Sequence, residues 1–241
     1  MTGHGPARQS ANQGGSPLVC IFGGTFNPIH LGHMRLVVEV MESVRPSRLD
    51  LLLSARPPHK GGRLLLPFPL RVTLLEAAIQ GMDRVAVNTL ENERNGPSYT
   101  ADTLRIYRER EPDARLCFII GAEDFSLIAT WQQWEILPRL TDIIVVPRSG
   151  AAEEVFSDTV SDLWPEAAPI TPPYPAADAA YALPGVKNAG IFSHLPLPRL
   201  DIRAELIRER FLAGRSIRFL VPEAVHCLLR DQPGAAASWR S

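Results

Sequence analysis

The sequence predicts an α/β protein: a Rossmann-like, doubly wound, mostly parallel sheet with helices on both faces and a small C-terminal helical part. Three observations predict it. Short apolar runs without polar alternation recur along the chain, as in Cys20-Ile21-Phe22 and Leu116-Cys117-Phe118-Ile119-Ile120, the pattern of strands covered on both faces. Segments of helical period lie between them. The first run stops at Gly23-Gly24 just ahead of a helix, as a strand–helix–strand unit with a ligand crevice requires.

Each element follows in order. Residues 1–17 are polar and Gly/Ser/Gln-rich with no apolar leader core, and are expected to be a disordered tail. Order is expected from Pro17-Leu18-Val19, where a buried strand runs into the glycine turn. Leu36, Val37, Val40 and Met41 mark a helix over 31–44, and a second strand over 49–54 closes a right-handed crossover unit. The alternation continues with a helix over 70–80, a strand over 85–88, a helix over 99–110, a strand over 116–120, a short helix over 135–140 and a strand over 143–146. Ala and Pro dominate from about 151 to 198. A structureless loop that long is uncommon in a compact domain, so an insertion is expected, partly disordered or packed over the surface. Helical period returns over 202–212 with Gly214 as C-cap, and a final short helix follows Val221-Pro222. One domain over 18–230 results, with 231–241 as a C-terminal tail.

The bulk numbers exclude several function classes. The 241 residues carry 25 Lys and Arg against 26 Asp and Glu, a net charge of -1, so no basic field draws the chain onto nucleic acid or an anionic membrane. No apolar stretch approaches the roughly 18–20 residues of a membrane span. Cys20, Cys117 and Cys227 are widely spaced and odd in number, with no metal-ligand motif, and Cys20 and Cys117, inside apolar runs, suit small core residues in a reducing cytoplasm. No metal-ligating residues are predicted, and the chain leaves a homo-oligomer open.

Chemistry concentrates after the first strand. Gly23 and Gly24 let backbone N–H groups approach a phosphate, and the next helix aims its positive end at the same place. His30 and His33 are three apart and share a helical face, so two imidazoles can meet a polyphosphate. Six histidines occur in the whole chain, which makes two incidental surface histidines at this spot a poor alternative. A Lys after a rigid Pro57-Pro58 turn, Lys60, can act as a point charge on phosphate. Ser98 can cap a helix beginning at Tyr99. Trp131 can pack in the core or stack on a flat ring.

The run Gly23-Gly24-Thr25-Phe26-Asn27-Pro28-Ile29-His30-Leu31-Gly32-His33 resembles the (H/T)xGH signature of the nucleotidyltransferase superfamily in its GGTFDPxHxGH form, with Asn27 where Asp is frequent. Pro57-Pro58-His59-Lys60, Gly96-Pro97-Ser98-Tyr99-Thr100 and Ile119-Ile120-Gly121-Ala122-Glu123 with Trp131 resemble the PPHK, GPSYT and IIGAD…W elements of bacterial nicotinate-mononucleotide adenylyltransferases. The resemblance covers about 18–148 and 200–230. It implies transfer of AMP from ATP to nicotinate mononucleotide, giving deamido-NAD and pyrophosphate, with Mg²⁺ arriving on ATP.

By that resemblance His30, His33, Lys60 and Arg208 are catalytic. Gly23, Gly24, Thr25, Phe26, Gly32, Arg203 and Ile207, together with His30, His33 and Arg208, bind ATP. Asn27, Ser98, Tyr99, Thr100, Glu123 and Trp131 bind the mononucleotide. Two slots depart from the family. Glu123 replaces an Asp. In Leu200-Asp201-Ile202-Arg203-Ala204-Glu205-Leu206-Ile207-Arg208, aligned with ISSTxIR, Arg203 and Glu205 replace Ser and Thr. A carboxylate beside a triphosphate is repulsive unless a cation intervenes. Two alternatives stay open beside this reading: another acceptor, such as nicotinamide mononucleotide or phosphopantetheine, and a nucleotide-binding module with weak or no turnover, which the Arg203 and Glu205 replacements motivate.

Overall fold

A computed structural model of the chain describes residues 16–57, 65–147, 152–185, 190–198, 200–232 and 234–240. The central strands are β1 (Leu18–Gly24), β2 (Arg48–Leu53), β3 (Val85–Asn88), β4 (Arg115–Gly121) and β5 (Asp142–Val146). They lie in the order β3-β2-β1-β4-β5, every neighbouring pair parallel. The chain winds outward one way from β1 to β3, then returns to the other side of β1 at β4. The sheet is therefore doubly wound, with its switch point between β1 and β4.

Strand alternation explains the two layers. Cys20 and Phe22 of β1, Cys117 and Ile119 of β4, and Leu49 and Leu51 of β2 face one cluster. It also takes Val37 and Val40 of α1 (Leu31–Ser43) and Leu74 and Leu75 of α2 (Phe68–Ala78). Val19 and Ile21, Leu116 and Phe118 face the opposite cluster, with Leu104 and Tyr107 of α3 (Thr100–Arg110), Phe125 of α4 (Ala122–Ser126) and Leu137 of α5 (Leu137–Leu140). Each such fully buried aliphatic side chain contributes about 1.5–3 kcal/mol. Cys20 and Cys117 are cross-strand neighbours, both free thiols in the core. Burial, and then the hydrogen bond the thiol makes to Cys20, hold the Cys117 thiol well above its usual range.

One charge sits inside the second layer. Asp50, 2% exposed on β2, accepts from Arg48 Nε at 2.8 Å, Tyr107 Oη at 3.0 Å and Asn88 Nδ2 at 3.3 Å. Burial, then the Asp50 charge, push the Tyr107 phenol far above its usual range, so it stays a donor.

The described residues of the stretch 151–198 form elements of the fold, where the sequence predicts an insertion partly disordered or packed over the surface. Helix α6 (Ala152–Leu163) lays Phe156 and Val160 into the second cluster, β8 (Ile191–His194) extends the sheet parallel to β5, and β7 (Ala179–Ala182) and β6 (Ala168–Pro169) follow antiparallel. Composition hid this because Ala and Pro mask short strands. Gly190 shows why the return fits: its N–H donates to Pro138 O, and a Cβ there would lie 1.9 Å from Thr141 O.

The chain ends with α7 (Ala204–Leu212), α8 (Glu223–Arg230) and α9 (Ala235–Ser238). The described residues 234–240 of the expected tail therefore fold back, and Trp239 is 4% exposed in the first cluster. Its indole supplies enough apolar area to anchor a segment that otherwise reads as polar and small. Residues 1–15 and Lys60 lie outside the described residues. No described helix is long and apolar enough to cross a membrane.

Candidate active site

At the switch point the carboxyl end of β1 opens into residues 25–29. Phe26 takes a left-handed backbone (φ 42°), which folds its ring over Gly24; a Cβ on Gly24 would stand 2.9 Å from that ring. The ring is 2% exposed, so it forms the floor of the turn, and its own side chain packs there. Gly23 lies against Phe118 of β4, which has no room for a larger residue without shifting the phenyl.

Helix α1 begins on the two histidines. His30 is the N-cap, with extended backbone, and His33 is the third helical residue. Together they form a capping box built from imidazoles, and the His30 main-chain N–H donates to His33 Nδ1 at 3.3 Å. The rings stack with centres 3.6 Å apart, and Phe26 meets His33 edge-on at 5.1 Å. His33 Nδ1 is an acceptor, so the neutral ring carries its proton on Nε2. Gly32 makes this possible: a Cβ there would lie 3.0 Å from His30 Nδ1 and 3.3 Å from Ile202 O.

The same contact brings the start of α7 to the start of α1. Arg203 is the exposed N-cap of α7. Arg208 Nη1 donates to Asn27 O at 2.9 Å and Nη2 to Glu205 Oε1 at 3.1 Å. Ile207 is fully buried, so its side chain packs in the core. Asn27 is 4% exposed, and its Oδ1 accepts the Leu66 N–H at 2.9 Å.

The loops on the β2 side are clasped to α3. Ser98 Oγ accepts the Arg56 N–H at 3.0 Å while the Ser98 N–H donates to Arg56 O at 3.1 Å. This corrects the expected cap: α3 starts at Thr100 with Tyr99 as N-cap, and the Ser98 hydroxyl oxygen accepts from Arg56 instead. Tyr99 and Thr100 are half-buried beside it. Trp131 stands edge-on to Phe118 at 6.3 Å, so Phe118 links it to Gly23. Glu123 is exposed in the first turn of α4. The structure thus gathers Gly23 to His33, Arg203 and Arg208 around one loop and sets Trp131 one ring away; Lys60 is outside the described residues.

Two supporting residues escaped the sequence reading. Arg71, 2% exposed on α2, donates to Thr25 O at 2.9 Å, Ser54 O at 2.8 Å and Leu66 O at 3.1 Å, and burial lowers its pKa to about 10, leaving it charged at neutral pH. It borders a cavity of about 400 Å³ at the carboxyl end of β2, with Arg56 and Phe68 also in its wall. Buried Glu91 accepts the Ala55 N–H at 3.3 Å and the Thr103 hydroxyl at 3.2 Å. The one signal was an arginine between Leu70 and Val72 in an apolar run.

A glycine turn under a helix that starts on paired imidazoles, at the switch point of a doubly wound sheet, defines a nucleotide-handling α/β protein. The cytidylyltransferase-like family model matches residues 21–210, and the chain belongs to that family of nucleotidyltransferases. It is 39% identical over 206 residues to a Marinobacter nauticus protein named "Probable nicotinate-nucleotide adenylyltransferase", covering 85% of this chain and 90% of that one. It is 37% identical to a Pseudomonas aeruginosa protein of the same name, covering 85% and 91%. The Plasmodium falciparum nicotinic acid mononucleotide adenylyltransferase complexed with NaAD shares the fold at a TM-score of 0.65 and 16% identity, covering 90% of this chain and 97% of that chain.

Proposed function

We propose that the chain transfers AMP from ATP to nicotinate mononucleotide, producing deamido-NAD and pyrophosphate. The observation that carries the reading is the His30–His33 pair at the start of α1, with Arg208 held at the same loop by Asn27 O. The names of the relatives at 37–39% identity support the choice of acceptor.

In the proposed reaction an oxygen of the mononucleotide 5′-phosphate attacks the α-phosphorus of ATP in line. The new P–O bond forms as the bond from the α-phosphorus to the bridging oxygen breaks, and that electron pair leaves with pyrophosphate. In this reading, charge on the phosphorus oxygens grows beside His30, His33 and the amino end of α1, so little reorganisation is needed. Arg208 and Lys60 balance the leaving group. Trp131, Ser98, Tyr99, Thr100, Asn27 and Glu123 are assigned to the acceptor.

Mg²⁺ belongs to this proposal as part of the ATP substrate, bound by phosphate oxygens and water, which requires no protein cage. Among the described residues the side chains of Glu223, His226 and Cys227 bring potential metal-ligand atoms within 4.8 Å of one another, but that donor set suits softer ions.

The test is pyrophosphate release with ATP and each acceptor in turn: nicotinate mononucleotide, nicotinamide mononucleotide and phosphopantetheine. The expected result is turnover fastest with the first. Faster turnover with another acceptor replaces the substrate assignment. ATP binding without release supports the non-catalytic reading, which the Arg203 and Glu205 replacements motivate.

A further inference from the structure

We propose that Trp239 is a positioning residue for the nucleotide loop, acting through Asn27; the role in turnover rests on the adenylyltransferase reading above. Beyond α8 the chain turns through α9 and seats Trp239 edge-on against Phe211 of α7, with ring centres 5.4 Å apart and planes at 89°. Its Nε1–H donates to Asn27 Oδ1 at 3.3 Å. The same oxygen accepts the Leu66 N–H at 2.9 Å, and the Asn27 main-chain oxygen accepts Arg208 Nη1 at 2.9 Å.

Asn27 therefore joins four separate pieces of chain: the loop between β1 and α1, the approach to α2, helix α7 and the C-terminus. It lies three residues before His30, and both the loop backbone and Arg208 take their places from it. An indole N–H can only donate, and so can the Leu66 N–H. Both select the amide rotamer with Oδ1 facing them and turn Nδ2 away. An amide oxygen accepts two such bonds, so the two donors together use its capacity. Without the indole donor Oδ1 loses one of the two N–H groups that fix its direction. The loop then samples more orientations, and phosphoryl transfer depends on orientation to fractions of an ångström. The turnover step should suffer more than the fold, because the ring of residue 239 can keep its contact with Phe211.

Trp239→Phe separates these effects, since it keeps a ring and deletes the donor. Three readouts are taken on the full chain: kcat and KM for ATP, the thermal midpoint, and deuterium exchange at the Leu66 amide, whose acceptor is Asn27 Oδ1. The expected result is a kcat lower by about tenfold, a nearly unchanged thermal midpoint, and faster exchange at Leu66. Wild-type kcat in a folded Trp239→Phe protein overturns the proposal, as does a kcat loss that simply tracks a large fall in thermal midpoint. Should the wild-type chain itself release no pyrophosphate, the adenylyltransferase reading fails separately. The Leu66 exchange then decides the anchoring by itself: faster exchange in the variant supports it and unchanged exchange overturns it.

Discussion

The main-chain N–H of His30 points at Nδ1 of His33, 3.3 Å away, and so decides which nitrogen of His33 is left to face a ligand. Because Nδ1 accepts that hydrogen bond, the neutral ring carries its own proton on Nε2 and can donate from there. One backbone bond thereby sets the chemistry of a side chain three residues further on. His33→Ala should lower the turnover of the adenylyl transfer by about tenfold or more. Losing the reciprocal cap should cost about 1 kcal/mol of stability, too little to unfold the domain. Steady-state pyrophosphate release beside a thermal melt checks both, and normal turnover in the variant would remove the assigned role.

Gly32→Ala tests the geometry rather than the chemistry. The new methyl carbon would meet His30 Nδ1 at 3.0 Å on one side and the Ile202 carbonyl at 3.3 Å on the other. The imidazole is the part that can move, so the variant should stay folded while the stacked pair opens. Turnover should fall by about tenfold, with little change in urea midpoint; a variant with full turnover would show that the stacked arrangement is not needed.

Arg203 and Glu205 stand where the motif that this segment resembles carries Ser and Thr. Glu205, whose side chain is 59% exposed, holds Arg208 at 3.1 Å. Restoring the hydroxyls with Arg203→Ser and Glu205→Thr together should leave the KM for ATP unchanged or lower it by about twofold to fivefold, the scale of one exposed ion pair. A KM raised tenfold or more would mean that this chain uses its altered pair productively.

Arg71→Met should destabilise the fold by about 2–4 kcal/mol, because it strands the carbonyls of Thr25, Ser54 and Leu66 inside the protein. Arg71→Lys should recover part of that loss, since an ammonium keeps the charge and three donors but not the planar fork. Urea unfolding of the two variants measures this. Equal stability of Met and wild type would leave the three carbonyls satisfied some other way.

Much of this architecture could be read in the residues. Strands such as Leu116 to Ile120 are buried on both faces, so hydrophobicity alone reveals them, and Val37 with Val40 marks the inner face of α1. The glycine turn and the two histidines are local in sequence and announce their chemistry by spacing. The remainder depends on distant partners. Ser98 looks like a cap by its neighbours, yet Arg56, 42 residues earlier, claims its hydroxyl. Trp239 and Asn27 are 212 residues apart, and no local pattern joins them. Helix α6 did carry a signal, Phe156 and Val160 four apart, but the surrounding Ala and Pro suppressed it.

The sheet ends at β6, two residues long, and the second is Pro169. A proline offers no N–H to an incoming strand, and so short a border gives little for one to grip. The opposite border, β3, spans four residues. The Ala- and Pro-rich stretch thus has a protective value separate from catalysis: it closes an otherwise extendable ladder at a point where copies of the chain, crowded during synthesis, could join edge to edge.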